Sequence, residues 1–149
     1  MSEPARALPP QTETGFQPRV VEYFERDPSH YRILLVEDDE MVRDLVATVL
    51  GEAGYQYEEA SDGAEGQSVY LEKGPFDIVL ADILMPRLTG VELAFRLKEL
   101  GFDGPVVFIS AYADIAQANE HVRMGHWHLI KKPFVPETIV RTLNGLLGL

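Results

Sequence analysis

Three apolar runs of strand length, each ending abruptly in an oxygen-bearing side chain, constrain this chain more than any other feature. Ile33-Leu34-Leu35-Val36 runs into Glu37-Asp38, Ile78-Val79-Leu80-Ala81 into Asp82, and Val106-Val107-Phe108-Ile109 into Ser110. A further stretch, Lys131-Lys132-Pro133-Phe134, sets a lysine immediately before a proline. From Tyr31 onward, short apolar segments alternate with segments of helical period, the pattern of βαβ units around a parallel sheet. The carboxyl ends of neighbouring parallel strands share one edge, and open α/β sheets bind ligands there.

The remaining elements follow from the same periodicities. Strand one is expected over Arg32 to Val36. Helix one follows from about Glu40 to Glu52, with Met41, Leu45, Val49 and Leu50 inward and Gly54 after its end. Tyr55 to Ala60 alternates enough to be an edge strand, and Asp62 or Ser61 caps a helix that Gly74-Pro75 stops. Ile78 to Ala81, unbroken in hydrophobicity, reads as a strand buried on both faces. A helix over about Gly90 to Leu100 leads to strand four at Val106 to Ile109. A less apolar helix is expected over about Ile115 to Met124, then a short strand near Leu129-Ile130. Pro136-Glu137 opens a last helix with Ile139, Val140, Leu143, Leu146 and Leu147 inward. Five strands and five helices result.

Residues 1–30 differ in character. They hold Pro4, Pro9, Pro10, Pro18 and Pro28, half of the 10 prolines in the chain. Pro-rich polar sequence resists packing, so this stretch reads as an extension to a domain over 31–149. Within it, Val20, Val21 and Phe24 fall on one face of a short helix expected over 19–26, which could dock on the domain, a second copy or a partner.

Composition narrows the function classes. Twenty-four acidic residues against 13 basic ones leave a formal net charge of −11 and no basic face to neutralise nucleic-acid phosphates. No apolar run approaches the roughly 18–20 residues of a membrane helix. A signal-peptide layout is also missing from the N-terminus. With Cys 0, disulfides and thiolate metal sites are excluded.

The strand-end residues define a chemistry. Asp82 is the expected nucleophile: a carboxylate that attacks phosphorus forms an aspartyl phosphate and splits a difficult transfer into two steps. Glu37 and Asp38 lie beside it if strands one and three are adjacent. Three crowded acids repel one another without a cation, so the cluster implies Mg2+ or Mn2+ held by hard oxygen ligands. Lys132 can supply positive charge to a phosphoryl oxygen and Ser110 a hydrogen bond. Pro133 can place a cis bond after that lysine. Each residue alone has a blander reading: a helix cap, a turn, or a solvated first helical turn for Glu37-Asp38-Asp39-Glu40. Their joint order at strand ends is what excludes coincidence.

Over Tyr31 to Leu149, in ILLVED, FDIVLADILMPRLTG, VVFISAY and KKPF, the chain resembles the receiver domains of bacterial two-component response regulators. The resemblance implies a flavodoxin-like fold, a doubly wound five-stranded parallel sheet in the order 2-1-3-4-5. It implies a cytoplasmic phosphoacceptor that catalyses only its own phosphorylation and dephosphorylation. The expected donor is a histidine kinase or histidine phosphotransfer protein, and the output a downstream protein target. Direct nucleic-acid binding and membrane insertion are not expected, and a homodimer is left open. Asp82 matches the phosphoacceptor, Glu37 and Asp38 the acidic pair that holds Mg2+, and the Leu84 backbone carbonyl the third protein ligand. Ser110 matches the hydroxyl residue and Lys132 the lysine. Asp39 is a rival for the acidic pair, but the family sets the pair directly after the apolar run, which ends at Val36. As no output domain follows the last helix, a stand-alone receiver is expected, read through the surface of the 115–124 helix, the fifth strand and the last helix.

The chain departs from that pattern at one switch position. Three residues before the lysine, where the family carries an aromatic ring, stands Leu129. Trp127 is expected to pack locally with a partly exposed indole, and His121, His126 and His128 to be unrelated surface residues rather than a metal site. Leu84 and Tyr112, bulky and not basic, are expected to flank the site and slow the loss of a phosphoryl group. Two other classes remain. A phosphorylation-independent interaction module is favoured by Leu129 alone. A phosphohydrolase would want an acid just after the nucleophile, where Ile83 and Leu84 stand. A nucleotide-binding fold lacks its Gly-rich loop after strand one.

Overall fold

The computed structural model describes residues 27–111 and 127–149. Arg32–Val36 (β1), Gln56–Ala60 (β2), Ile78–Asp82 (β3), Val106–Ser110 (β4) and Trp127–Lys131 (β5) form one sheet in the order β2-β1-β3-β4-β5. Every pairing is parallel, and β2 is an edge strand as its alternation predicts. Among the described residues there are four α-helices, Glu40–Glu52 (α1), Gly63–Lys73 (α2), Gly90–Glu99 (α3) and Pro136–Leu147 (α4). The expected helices over about 115–124 and 19–26 lie outside the described residues.

The two faces of the sheet follow from strand alternation. Ile33, Leu35, Ile78, Leu80, Val107 and Ile109 pack with Val46 and Leu50 of α1 and Ile139 and Leu143 of α4. Leu34, Val36, Val79, Ala81 and Phe108 pack with Leu93, Ala94 and Leu97 of α3 and with Val69 and Tyr70 of α2. This is the doubly wound, flavodoxin-like arrangement. Strands β3 and β4 each run one residue beyond their apolar runs, to Asp82 and Ser110, because the parallel ladder continues through them. Strand β5 is longer than its two central apolar residues, pairing along all of β4 from Val106↔Trp127 to Ser110↔Lys131.

The inward face of α1 differs from the expected one. Met41 is 82% exposed and Leu45 46% exposed. The buried stripe is Val46, Ala47, Val49 and Leu50, with Val42 and Ala53 partly buried against it. Positions 42, 46, 49, 50 and 53 follow the i, i+4, i+7, i+8, i+11 spacing of a single face, and Met41 and Leu45 sit one residue, about 100°, off it. Val49 and Leu50 were common to both stripes, which is why hydrophobicity alone left the rotation ambiguous.

Local signals set the helix starts. The Asp39 carboxylate accepts from the backbone N–H groups of Met41 and Val42 and caps α1. Asp62, not Ser61, caps α2 through the Glu65 N–H. Thr89 and Glu92 form a reciprocal capping box at α3. Helix α4 opens on Pro136 and ends at Gly148, whose φ of 75° is the left-handed conformation glycine adopts freely. Before β1, Pro28–His30 form a 3-10 turn capped by Asp27, and the Gln56 side chain donates to the Ser29 carbonyl at 2.5 Å. The Gly74–Pro75 and Lys132–Pro133 peptide bonds are cis.

Candidate functional site

The carboxyl ends of β1 and β3 bring the expected acids together. Asp82 is the last residue of β3, beside Val36↔Ala81 in the β1–β3 ladder. Glu37 extends β1 by one residue, its N–H donating to the Ala60 carbonyl at 3.1 Å. Ligand oxygens of Glu37, Asp38 and Asp82 all lie within 4.8 Å of one another. Glu37 is 1% and Asp82 6% exposed, whereas Asp38 faces solvent. Lys132, one residue past β5, reaches back over this edge. Its Nζ stands 3.0 Å from Asp82 Oδ2 and 3.5 Å from Glu37 Oε1.

The electrostatics are those of crowded acids with one ammonium among them. Burial, then the Asp82 charge, pushes the Glu37 carboxyl up to about 8. Burial alone would lower Lys132, but the hydrogen bond to Asp82 and the charges of Glu37 and Asp82 outweigh it and hold the ammonium above its ordinary value. Without a further cation the cluster therefore keeps a proton it would otherwise shed. Hard oxygen donors in this number and spacing fit Mg2+ or Mn2+. Among the described residues nothing donates to the Leu84 carbonyl.

The other expected residues fall into place unevenly. Ser110 is buried at the same edge, one residue past Ile109, the register partner of Asp82, and its hydroxyl donates to the Ala111 carbonyl at 3.2 Å. The Leu84 side chain stands 62% exposed, its N–H 3.3 Å from Asp82 Oδ1. Tyr112, the other half of the expected shield, lies outside the described residues. Asp39, the rival for the acidic pair, contributes its carboxylate to the α1 cap. Leu129 is half-buried against the α3 side of the core.

Trp127 is more buried than expected, at 6% exposure. Its indole meets Phe95 and Phe108 edge-on at ring-centroid distances of 5.1 and 5.2 Å, so packing takes up the ring. His128 is half-buried on β5, and His121 and His126 lie outside the described residues. Sequence reasoning missed two residues that touch the site. Arg43 donates from Nη1 to the Glu37 carbonyl at 2.8 Å. Gly90 lies so close to Asp82 that an added Cβ would fall 2.1 Å from the Asp82 carbonyl oxygen. A helical basic residue carries no local signal of such a contact, whereas a glycine opening a capped helix could have raised the question of close approach.

A flavodoxin-like sheet with a buried carboxylate, two acidic neighbours and a lysine at its carboxyl edge defines a class of α/β protein with an acidic crevice at the strand ends that could hold a metal ion. Comparison with known proteins is specific within that class. The chain belongs to the response regulator receiver domain family, whose sequence model matches residues 33–144. It is similar to the phosphate regulon transcriptional regulatory protein PhoB of Pseudomonas aeruginosa, at 33% identity over 77% of this chain and 51% of that protein. To the sensor histidine kinase RcsC of Escherichia coli (strain K12) it is 33% identical over 95% of this chain and 14% of the kinase. The chain thus spans about half the length of the transcriptional regulators it matches. Among solved structures, the chemotaxis protein CheY4 of Vibrio cholerae superposes with a TM-score of 0.68 at 30% identity, covering 78% of this chain and 98% of that one.

Proposed function

We propose that this receiver domain accepts a phosphoryl group on Asp82 from a phosphohistidine donor, a histidine kinase or a histidine phosphotransfer protein, in a two-component or phosphorelay pathway. The observation that carries the reading is the crevice itself: Asp82 buried at a strand end, with Lys132 Nζ 3.0 Å from one carboxylate oxygen and Glu37 and Asp38 alongside.

Asp82 Oδ attacks phosphorus, a P–O bond forms, and the P–N bond to the donor imidazole breaks, leaving the histidine nitrogen with the electron pair. Glu37, Asp38, Asp82 and the Leu84 carbonyl would hold Mg2+ or Mn2+, which supplies charge neutralisation for an anionic phosphoryl group. Lys132 stays within reach of a phosphoryl oxygen by exchanging its contact with Asp82. Ser110, at the same edge, donates its hydroxyl proton to another oxygen once it turns from Ala111. The burial of Asp82 and Glu37 keeps bulk water from screening these charges.

The domain acts as a cytoplasmic signalling element rather than as an enzyme on outside substrates. Added charge at the strand edge biases a two-state equilibrium and alters a surface read by a protein target. Leu129 favours one other reading, a receiver-fold interaction module that works without phosphorylation. Incubation with acetyl phosphate and Mg2+, followed by intact mass, separates the two. One added phosphoryl group, absent in Asp82→Asn and without metal, supports phosphoacceptance. No adduct, with no response to a beryllofluoride mimic, supports the module.

A further inference from the structure

Of the three acids in the crevice, two are held tightly and one is not. Glu37 is buried, and four contacts fix it. Its N–H donates to Ala60, its Oε2 accepts from the Asp39 N–H at 3.1 Å, its Oε1 faces Lys132, and its carbonyl accepts from Arg43. Asp82 is anchored within β3 and by Lys132. Asp38 is exposed, and no group among the described residues holds its carboxylate. Its direction is set by the backbone on either side.

On the N-terminal side of Asp38, that backbone is gripped through one carbonyl. The carbonyl of Glu37 belongs to the peptide unit joining residues 37 and 38, whose tilt aims the Asp38 Cα–Cβ bond. Arg43 Nη1 donates to that carbonyl at 2.8 Å. The same guanidinium turns its Nε toward Glu59 Oε1 at 3.5 Å, and the Arg43 side chain is 17% exposed. Arg43 is therefore braced between the end of β2 and the turn after β1, and a planar fork suits two such contacts at once. The helix cap at Asp39 fixes the far side of Asp38.

We propose that Arg43 is a positioning residue for the divalent-cation site, locking the 37–38 peptide so that the Asp38 carboxylate meets the cation. The inference rests on the reading of the crevice as a cation site. Metal sites tolerate only about ±0.2 Å in ligand distance, and outer partners that orient ligands are commonly worth roughly 10–100-fold in affinity. Charge alone predicts the opposite sign. Removing a cation near three carboxylates makes the crevice more negative and should tighten Mn2+ or Mg2+ binding.

Electron paramagnetic resonance, which counts free Mn2+ directly, tests this on the full chain without phosphoryl donor, with Mg2+ measured by competition. Arg43→Gln and Arg43→Lys are expected to bind Mn2+ about tenfold more weakly than wild type, at a temperature where thermal melts show each folded. Glu59→Gln, which leaves the grip on Glu37, should stay within about twofold. Unchanged or tighter binding in Arg43→Gln overturns the proposal, as does a lowered melting temperature with unaltered affinity, the mark of a mere brace. Should Arg43→Gln fail to fold, Arg43→Lys decides by the same criterion. A wild-type chain that binds no Mn2+ at millimolar concentration overturns the cation-site reading and this inference with it. Normal wild-type binding with unaffected variants overturns the role of Arg43 alone.

Discussion

Gly90→Ala should destabilise the domain even though it replaces glycine inside a helix, normally a gain. Gly90 opens α3 with its backbone pressed on the end of β3. A Cβ there would lie 2.1 Å from the Asp82 carbonyl oxygen, 2.9 Å from the Asp82 carbonyl carbon and 2.9 Å from Ile83 Cα. All three are backbone atoms, so no side chain can swing aside. The helix start would have to retreat by about 1 Å to reach ordinary contact, which also pulls the Gly90 N–H off the Ile83 carbonyl, now 2.7 Å away. Overpacking of this kind costs about 1–3 kcal/mol and a lost hydrogen bond about 1 kcal/mol. Replacing glycine in a helix returns at most about 1 kcal/mol. The net loss is then about 2 kcal/mol, or roughly 1 M in urea midpoint for an m-value near 2 kcal/mol/M. Gly145 is the matched control: it is exposed in α4, and a Cβ there would meet nothing within 4 Å. Gly145→Ala should gain about 0.5 kcal/mol from the same chemical change. Urea unfolding of the two variants beside wild type is the assay. A Gly90→Ala midpoint equal to or above wild type would refute the packing of α3 on Asp82.

Other outcomes follow from the same coordinates. In metal-free protein, stability should fall as pH rises. Glu37 titrates near 8 when folded against an ordinary 4.5, so its contribution is whole below about 4.5 and lost by about 8. Denaturant midpoints in chelator across that window should decline, and saturating Mg2+ should flatten them; a flat metal-free profile would contradict the burial of Glu37. Thr89→Ala removes one half of the capping box on α3 and should cost about 1 kcal/mol, while Thr89→Ser should cost little; equal losses in a melt would count against the cap. Lys132→Ala removes the ammonium 3.0 Å from Asp82, so Mg2+ should bind more tightly while phosphoryl uptake from acetyl phosphate drops at least about tenfold. Retained uptake in that variant would remove Lys132 from the proposed chemistry.

The sequence by itself determined the sheet and its edge. Ile33 to Val36, Ile78 to Ala81 and Val106 to Ile109 are apolar enough to be central strands, and strand-end acids in parallel neighbours have nowhere else to converge. Glu37, Asp38, Asp82 and Lys132 were legible for that reason, and the Asp62 and Pro136 helix starts because each depends on residues within one turn. Tertiary structure alone decided what rests on distant neighbours. It rotated α1 so that Val42 and Val46 face the sheet and Met41 and Leu45 face solvent. It closed Phe95 and Phe108 around Trp127, set Arg43 on the Glu37 carbonyl and pressed Gly90 against Asp82. Periodicity is written in residues three or four apart along the chain. The face an element buries, and the carbonyl a side chain reaches, are set by elements packed against it from elsewhere in the fold.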